Sequence, residues 1–216
     1  ICIASGARQY AGYAVPLAGE LCELFPAEGG GERVLLKTAR SARDNDLLQA
    51  EARALREIER GLAGQRVRAH FPTLIEHLLV SDAAGARRQM NVLRAEQGVV
   101  SLAEVIRAYP AGLDPADAAW MFNRVLAALG SAHSLGLLHG AVTPAHVLVR
   151  PADHNGILVG WCASVPIGEP LRLRSPAYAA DYPPEVAARQ PATPATDIYL
   201  AAACMARLLG GDPFGP

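Results

Sequence analysis

The stretch Arg33-Val34-Leu35-Leu36-Lys37, followed by Asp44-Asn45-Asp46 and a helical pattern that carries Glu51, decides how the chain is read. Gly29-Gly30-Gly31 turns the chain into this aliphatic run, which predicts a strand. From Leu47 to Leu62 the apolar residues recur with a period near 3.6, so a helix is expected there, with its caps at 44–46. Leu48, Glu51 and Leu55 fall at i, i+3 and i+7, which puts Glu51 inside the apolar stripe. A carboxylate buried there without a partner is costly, so it needs a cation. Of the 20 basic residues only Lys37 is lysine, and it lies fourteen positions upstream of Glu51. The alternative is that Glu51 turns sideways to a nearby arginine.

Working outward, 216 residues at 51% hydrophobic and 19% charged have ample apolar surface for a core, which excludes a disordered chain. A net charge of -1 gives no electrostatic case for nucleic acid or an anionic membrane surface. Cys2, Cys22, Cys162 and Cys204 are scattered without a C-x-x-C pair, which argues against a zinc site or a disulfide framework and suits a reducing, cytoplasmic compartment. The run from Val125 to Val149 lacks Asp, Glu, Lys and Arg, but it holds three histidines, three glycines and Pro144. It reads as core, not as a membrane span. The chain opens on Ile1 without a charged leader and is expected to be a piece of a longer protein.

Residues 1–95 are expected to form one lobe of five strands around the single helix, with strands at Tyr10–Val15, Glu20–Phe25, Arg33–Lys37, Thr73–Val80 and Arg87–Leu93. A connector at about 94–98 leads into a mainly helical lobe over 96–216. Ser101 with Glu104 makes a capping box. Asp114-Pro115 starts a long helix that runs to about Leu135. His146–Val149 and Gly156–Val159 read as a hairpin whose tip, Asp153-His154-Asn155, is turn chemistry. A last helix begins near Asp197 and ends at Gly210-Gly211.

These elements resemble the protein kinases in order and spacing. Val34-Leu35-Leu36-Lys37 with Glu51 resembles the Val-Ala-Ile-Lys strand and helix C. His139-Gly140-Ala141-Val142-Thr143-Pro144-Ala145-His146 is similar to the catalytic loop His-Arg-Asp-Leu-Lys-Pro-x-Asn, and Ile157–Cys162 takes the place of the strand into Asp-Phe-Gly. Pro183-Pro184-Glu185 resembles Ala-Pro-Glu, and Asp197-Ile198-Tyr199 the start of helix F. The resemblance implies a bilobal α+β fold that ends here after helix F. It also suits a bacterial Ser/Thr-kinase-like module.

The departures decide what the resemblance implies for function. Phosphoryl transfer in the family needs an Asp base, an Asn and a second Asp for magnesium, and a Lys for the phosphates. Ala141, His146, Gly160 and Lys37 stand at those places, so three of the four are lost. Imidazole is a poor substitute for magnesium's hard oxygen ligands. A glycine-rich loop at 14–19 would hold Ala14 and Pro16 at two glycine positions and keep only Gly19. Leu35 would project into the adenine space. Gly140 and Thr143 remove the family's catalytic-loop arginine and lysine.

The parts kept are architectural. His139, Trp161 in the Phe position and Leu55 are expected to stack between the lobes, with Leu78 or Leu79 as a fourth member. Asp197 resembles the helix F aspartate that anchors the catalytic-loop backbone near His139, and Glu185 in the family pairs with an arginine on a later helix. The expected function is an inactive pseudokinase that acts as a regulatory scaffold for another domain of the chain or a protein partner. No cofactor is expected, with ATP weak or absent and no magnesium. One alternative is an atypical ATP-dependent kinase or nucleotidyl-transferase that recruits Glu96, Asp181 or Glu185. Another is a nucleotide sensor that needs no metal. His146 with Cys162 points to packing more than to a metal, Arg172 and Arg174 to a solvated face, and Ser175 and Tyr178 to loop residues open to modification.

Overall fold

The computed structural model describes residues 2–5, 8–12, 17–19, 21–81 and 85–215. Its first lobe is built on an antiparallel sheet. Strands β1 (Cys2–Ser5), β2 (Arg8–Gly12), β4 (Cys22–Gly29), β5 (Glu32–Ala39), β7 (Arg87–Arg94) and β6 (Leu74–Ser81) lie side by side in that order, and β3 (Leu17–Ala18) pairs with β4. β2 and β3 flank one edge of β4, and β2 overlaps the first expected strand, Tyr10–Val15, whose end lies outside the described residues. Among the described residues the sheet therefore has its five expected members and two more, β3 and the edge strand β1, which pairs with β2 from Cys2 opposite Ala11.

Alternation along β5 gives the sheet two faces. Val34 and Leu36 pack with Tyr10, Phe25, Met90 and Val92 on one side. Leu35, Lys37 and Ala39 face the other, where helix α1 (Asn45–Gly61) lies. Leu48, Glu51, Ala52, Ala54, Leu55 and Ile58 are its buried residues, the stripe that a 3.6 period presents to a sheet. The expected caps take different roles. Ser41 caps the short turn ahead of the helix, and Asp44 makes no side-chain cap. Asn45 instead clamps the helix start to β7, donating to the Arg87 carbonyl at 2.9 Å and accepting from the Gln89 N–H at 2.8 Å.

The second lobe follows a short connector. Ser101 and Glu104 close a capping box on α2 (Leu102–Ala108). Asp114 caps α3 (Pro115–Ser134), with Pro115 in its first turn. Three short strand pairings brace the loops: β8 (Val100–Ser101) and β11 (Asn155–Leu158) flank β10 (Val147–Arg150), and β9 (Leu137–Leu138) pairs with β12 (Val165–Pro166). Helix α4 (Pro184–Ala187) leads to α5 (Pro194–Leu208), which starts three residues before Asp197, earlier than the sequence pattern suggests, because Pro194 fits a first helical turn. His154 takes a left-handed φ of 50° at the hairpin tip, and the Asp153 carboxylate accepts the Asn155 N–H, so that tip is turn chemistry. One core runs through both lobes, joining Leu55, Ile58 and Phe71 to Leu129, Leu158, Trp161 and Leu200. Among the described residues no helix is long and apolar enough to cross a membrane.

Candidate functional site

Where α1 crosses β5, Lys37 Nζ lies 2.6 Å from Glu51 Oε1, with Glu51 fully buried and Lys37 8% exposed. The carboxylate has a second partner. Asn91 Nδ2 donates to Glu51 Oε2 at 2.9 Å and to the Leu48 carbonyl at 3.1 Å, and Asn91 Oδ1 accepts from His77 Nδ1 at 2.6 Å. Lys37 stands opposite Asn91, and Asn91 opposite His77, so one row across three strands meets the helix carboxylate. Burial alone disfavours the Lys37 charge, but the fields of Cys162 and Glu51 outweigh it and leave its pKa raised. At neutral pH the carboxylate is the partner that matters. Cys162 stays a neutral thiol because its sulfur hydrogen bond to Cys22, burial and Glu51 hold its pKa well above the usual value.

A second polar centre holds the loop from His139 to His146. Asp197, fully buried on α5, accepts the His139 N–H at 2.9 Å and the Gly140 N–H at 2.8 Å, and its Oδ2 lies 2.9 Å from His133 Nε2. The His139 ring donates from Nε2 to the Val159 carbonyl at 2.9 Å and accepts the Ala141 N–H on Nδ1 at 3.2 Å, which fixes one neutral tautomer. Burial, against the pull of Asp197, pushes its pKa down to about 4. Trp161 meets the His139 ring edge-on at 4.7 Å and Phe71 at 5.6 Å, and its indole donates to the Leu158 carbonyl at 2.8 Å.

The corner between these centres is filled. Gly160 has φ of 83°, and a Cβ built on it would lie 2.5 Å from His146 Cδ2 and 2.7 Å from Cγ. The His146 ring is held there by its Nδ1, which donates to the Ala141 carbonyl at 2.8 Å. Ala141 itself is buried and offers no side-chain oxygen. A carboxylate at 160 would have to share this space with the His146 imidazole. Among the described residues, no three His, Cys, Asp or Glu side chains converge to hold a metal.

Neither a protein-family model nor a curated protein matches the chain. Among solved structures, that of vaccinia related kinase 3 superposes with a TM-score of 0.72, at 15% identity, over 97% of this chain and 67% of its own. The chain has a protein-kinase-like fold.

Within that fold the remaining expected residues fall in several places. Gly19 sits in the turn between β3 and β4, and its carbonyl accepts from Arg40 Nη2 at 2.7 Å. Leu17 and Ala18 pair with Leu24 and Glu23, so the loop expected at 14–19 is partly strand. Ala14–Pro16 lie outside the described residues. Leu35 is half-buried between the cross-strand neighbours Pro26 and Leu93. Leu55 packs in the same cluster as Trp161, but Leu78 and Leu79 do not. Leu78 faces the opposite side of the sheet, Leu79 is 43% exposed, and Phe71 makes the ring contact instead.

The three acids considered as substitutes are engaged elsewhere. Glu96 pairs with Arg150 at 2.7 Å, Asp181 takes both terminal nitrogens of Arg207 at 2.5 and 2.7 Å, and Glu185 accepts from the Thr196 hydroxyl at 3.3 Å. Ser175 is buried, and Tyr178 lies 5.9 Å beneath the Arg207 guanidinium. Like Phe71, two further features escape sequence reasoning. Asn91 is a polar residue in an apolar strand, a signal that could have been followed, but its partner depends on strand register. Cys22 and Cys162 are distant in sequence, yet their sulfurs lie 4.0 Å apart.

Lys37→Met leaves Glu51 buried without its cation and is expected to destabilise the protein by about 3–5 kcal/mol. Adding Glu51→Leu should recover part of that loss, as read by urea unfolding; a single variant as stable as the parent would contradict the pairing role. His139 gives a pH dependence. Its native imidazole refuses a proton that the unfolded chain accepts below about pH 6.5. That contribution to stability is complete above pH 6.5 and fades as pH falls toward 4, so about 2 kcal/mol should disappear between pH 7 and pH 5. The corresponding slope should be absent from a His139→Phe variant.

Proposed function

We propose that the chain is a catalytically inactive kinase-like module, a binding or regulatory scaffold in a larger cytoplasmic protein whose partner is another domain or protein. One observation carries the reading. The imidazole of His146 fills the space where Gly160 lacks a side chain, so the two positions that resemble the family's metal ligands have closed onto each other. Ala141, beside them, brings no base, and losing a general base lowers rates by about 10²- to 10⁴-fold. The pairing of Glu96, Asp181 and Glu185 with Arg150, Arg207 and Thr196 also speaks against an atypical transferase that would recruit them.

A second reading is a nucleotide sensor that needs no metal. It is favoured by Lys37, which keeps its carboxylate partner in the arrangement a phosphate-positioning lysine uses. Thermal melting with ATP, with and without magnesium or manganese, separates the two, because ligand at a hundred times its Kd adds about 2.7 kcal/mol of stability. The scaffold predicts no shift and no transfer of labelled phosphate. A shift with ATP alone favours the sensor, and a metal-dependent shift or phosphate transfer defeats both.

Gly160→Asp tests the closed corner directly. The left-handed backbone and the His146 ring together should make it cost about 2–4 kcal/mol. His146→Asn in the same chain should return about 1–2 kcal/mol by removing the overlap. A Gly160→Asp protein with the parent's urea midpoint would show that the space is not filled as described.

A further inference from the structure

Cys22 opens β4 on the first lobe's sheet, and Cys162 lies in the turn that Trp161 begins, 140 residues away in the chain. Their sulfurs are in hydrogen-bond contact at 4.0 Å. Both thiols are free, and the small cluster around them consists of Ala39 and Leu48 with half-buried Leu21 and Leu47 at its rim. Cys22 is 5% exposed and Cys162 9%, so a small oxidant meets an almost enclosed pair. A disulfide has its sulfurs about 2.05 Å apart, so each must move by about 1 Å to form the bond.

We propose that this pair is a modification site for hydroperoxides, which convert it to a disulfide that staples the sheet of the first lobe to the segment after Trp161. The two thiols divide the chemistry. The hydrogen bond from Cys162 lowers the Cys22 pKa against the effect of burial, and the Lys37 ammonium lowers it further. The same bond, with burial, keeps the proton on Cys162. Cys22 sulfur, as thiolate, attacks the outer oxygen of the hydroperoxide. An S–O bond forms, the O–O bond breaks, and the alkoxide leaves with a proton as alcohol, or as water from hydrogen peroxide. Cys162 sulfur then attacks the Cys22 sulfenic acid, its proton joins the departing hydroxide as water, and the S–S bond closes. Two thiols give up two electrons, and the O–O bond accepts them.

The site does not depend on whether the chain binds a nucleotide. Cys204 is an internal control: burial pushes its thiol up to about 12, and it donates to the Val142 carbonyl at 3.5 Å. The full chain carrying Cys2→Ser is reduced, treated with a few equivalents of hydrogen peroxide, and mapped by non-reducing peptide mass spectrometry. The expected product lacks two hydrogens, contains one Cys22–Cys162 cross-linked peptide, leaves Cys204 free, and reverts with a dithiol. Closing so long a loop should also raise the melting midpoint by about 5–10 °C. Recovery of Cys22 and Cys162 as free thiols, or separately as sulfinic or sulfonic acids, overturns the proposal. Cys162→Ser should stop the reaction at a Cys22 sulfenic acid that dimedone traps; if that variant does not fold, the map of the Cys2→Ser protein decides alone.

Discussion

Glu51 is a charge with no access to water, and much of the first lobe follows from the need to compensate it. An unpaired buried carboxylate would undo several kcal/mol of packing, so a cation and a neutral donor must meet it at the same point. Lys37 and Asn91 do so from neighbouring strands, which fixes both the register of β5 against β7 and the height at which α1 crosses them. Once α1 is seated, Leu55 reaches the core that Trp161 and Phe71 share, and the two lobes become one packed body. An arginine could not replace Lys37 here, because a longer forked group would need more room and more acceptors than this slot provides.

What was legible in the sequence was local or periodic. The Ser101–Glu104 box, the Asp114-Pro115 helix start and the stripe from Leu48 to Ile58 announce themselves within a few residues of one another, and each stands where its pattern puts it. The ion pair was half legible: burial of Glu51 follows from spacing, but its choice between Lys37 and an arginine is made by tertiary geometry. Asn91, Phe71 and the two facing cysteines were not legible, because strand register and the path of long connections bring them together. Asn45 shows a local signal redirected, its cap-forming side chain spent on β7. Leu78 and Leu79 failed for a related reason, since alternation names two faces but not which of them meets the second lobe.

Two kinds of polar position in this fold differ physically. Asp197 and His139 satisfy backbone groups that have no route to water, so removing either would orphan buried donors or acceptors at about 1–3 kcal/mol each. A base or a metal ligand that faces a substrate leaves no such orphan when it is replaced. The polar groups that support the backbone are present, while Ala141, Gly160 and Gly140 offer no side-chain donor or acceptor. Stability alone can hold the first set in place without any demand from chemistry.

Gly140 is tied to a distant stretch of backbone in the same way. At φ of 75° a Cβ on it would lie 2.7 Å from the Ala163 carbonyl oxygen and 2.9 Å from Leu171 Cδ2. A main-chain atom now occupies the room a side chain would need. The backbone at 163 and the glycine at 140 therefore depend on each other, and neither can be altered first without a clash. Such a pair works as a lock: no residue with a Cβ can enter position 140 by one substitution unless the backbone at 163 moves with it.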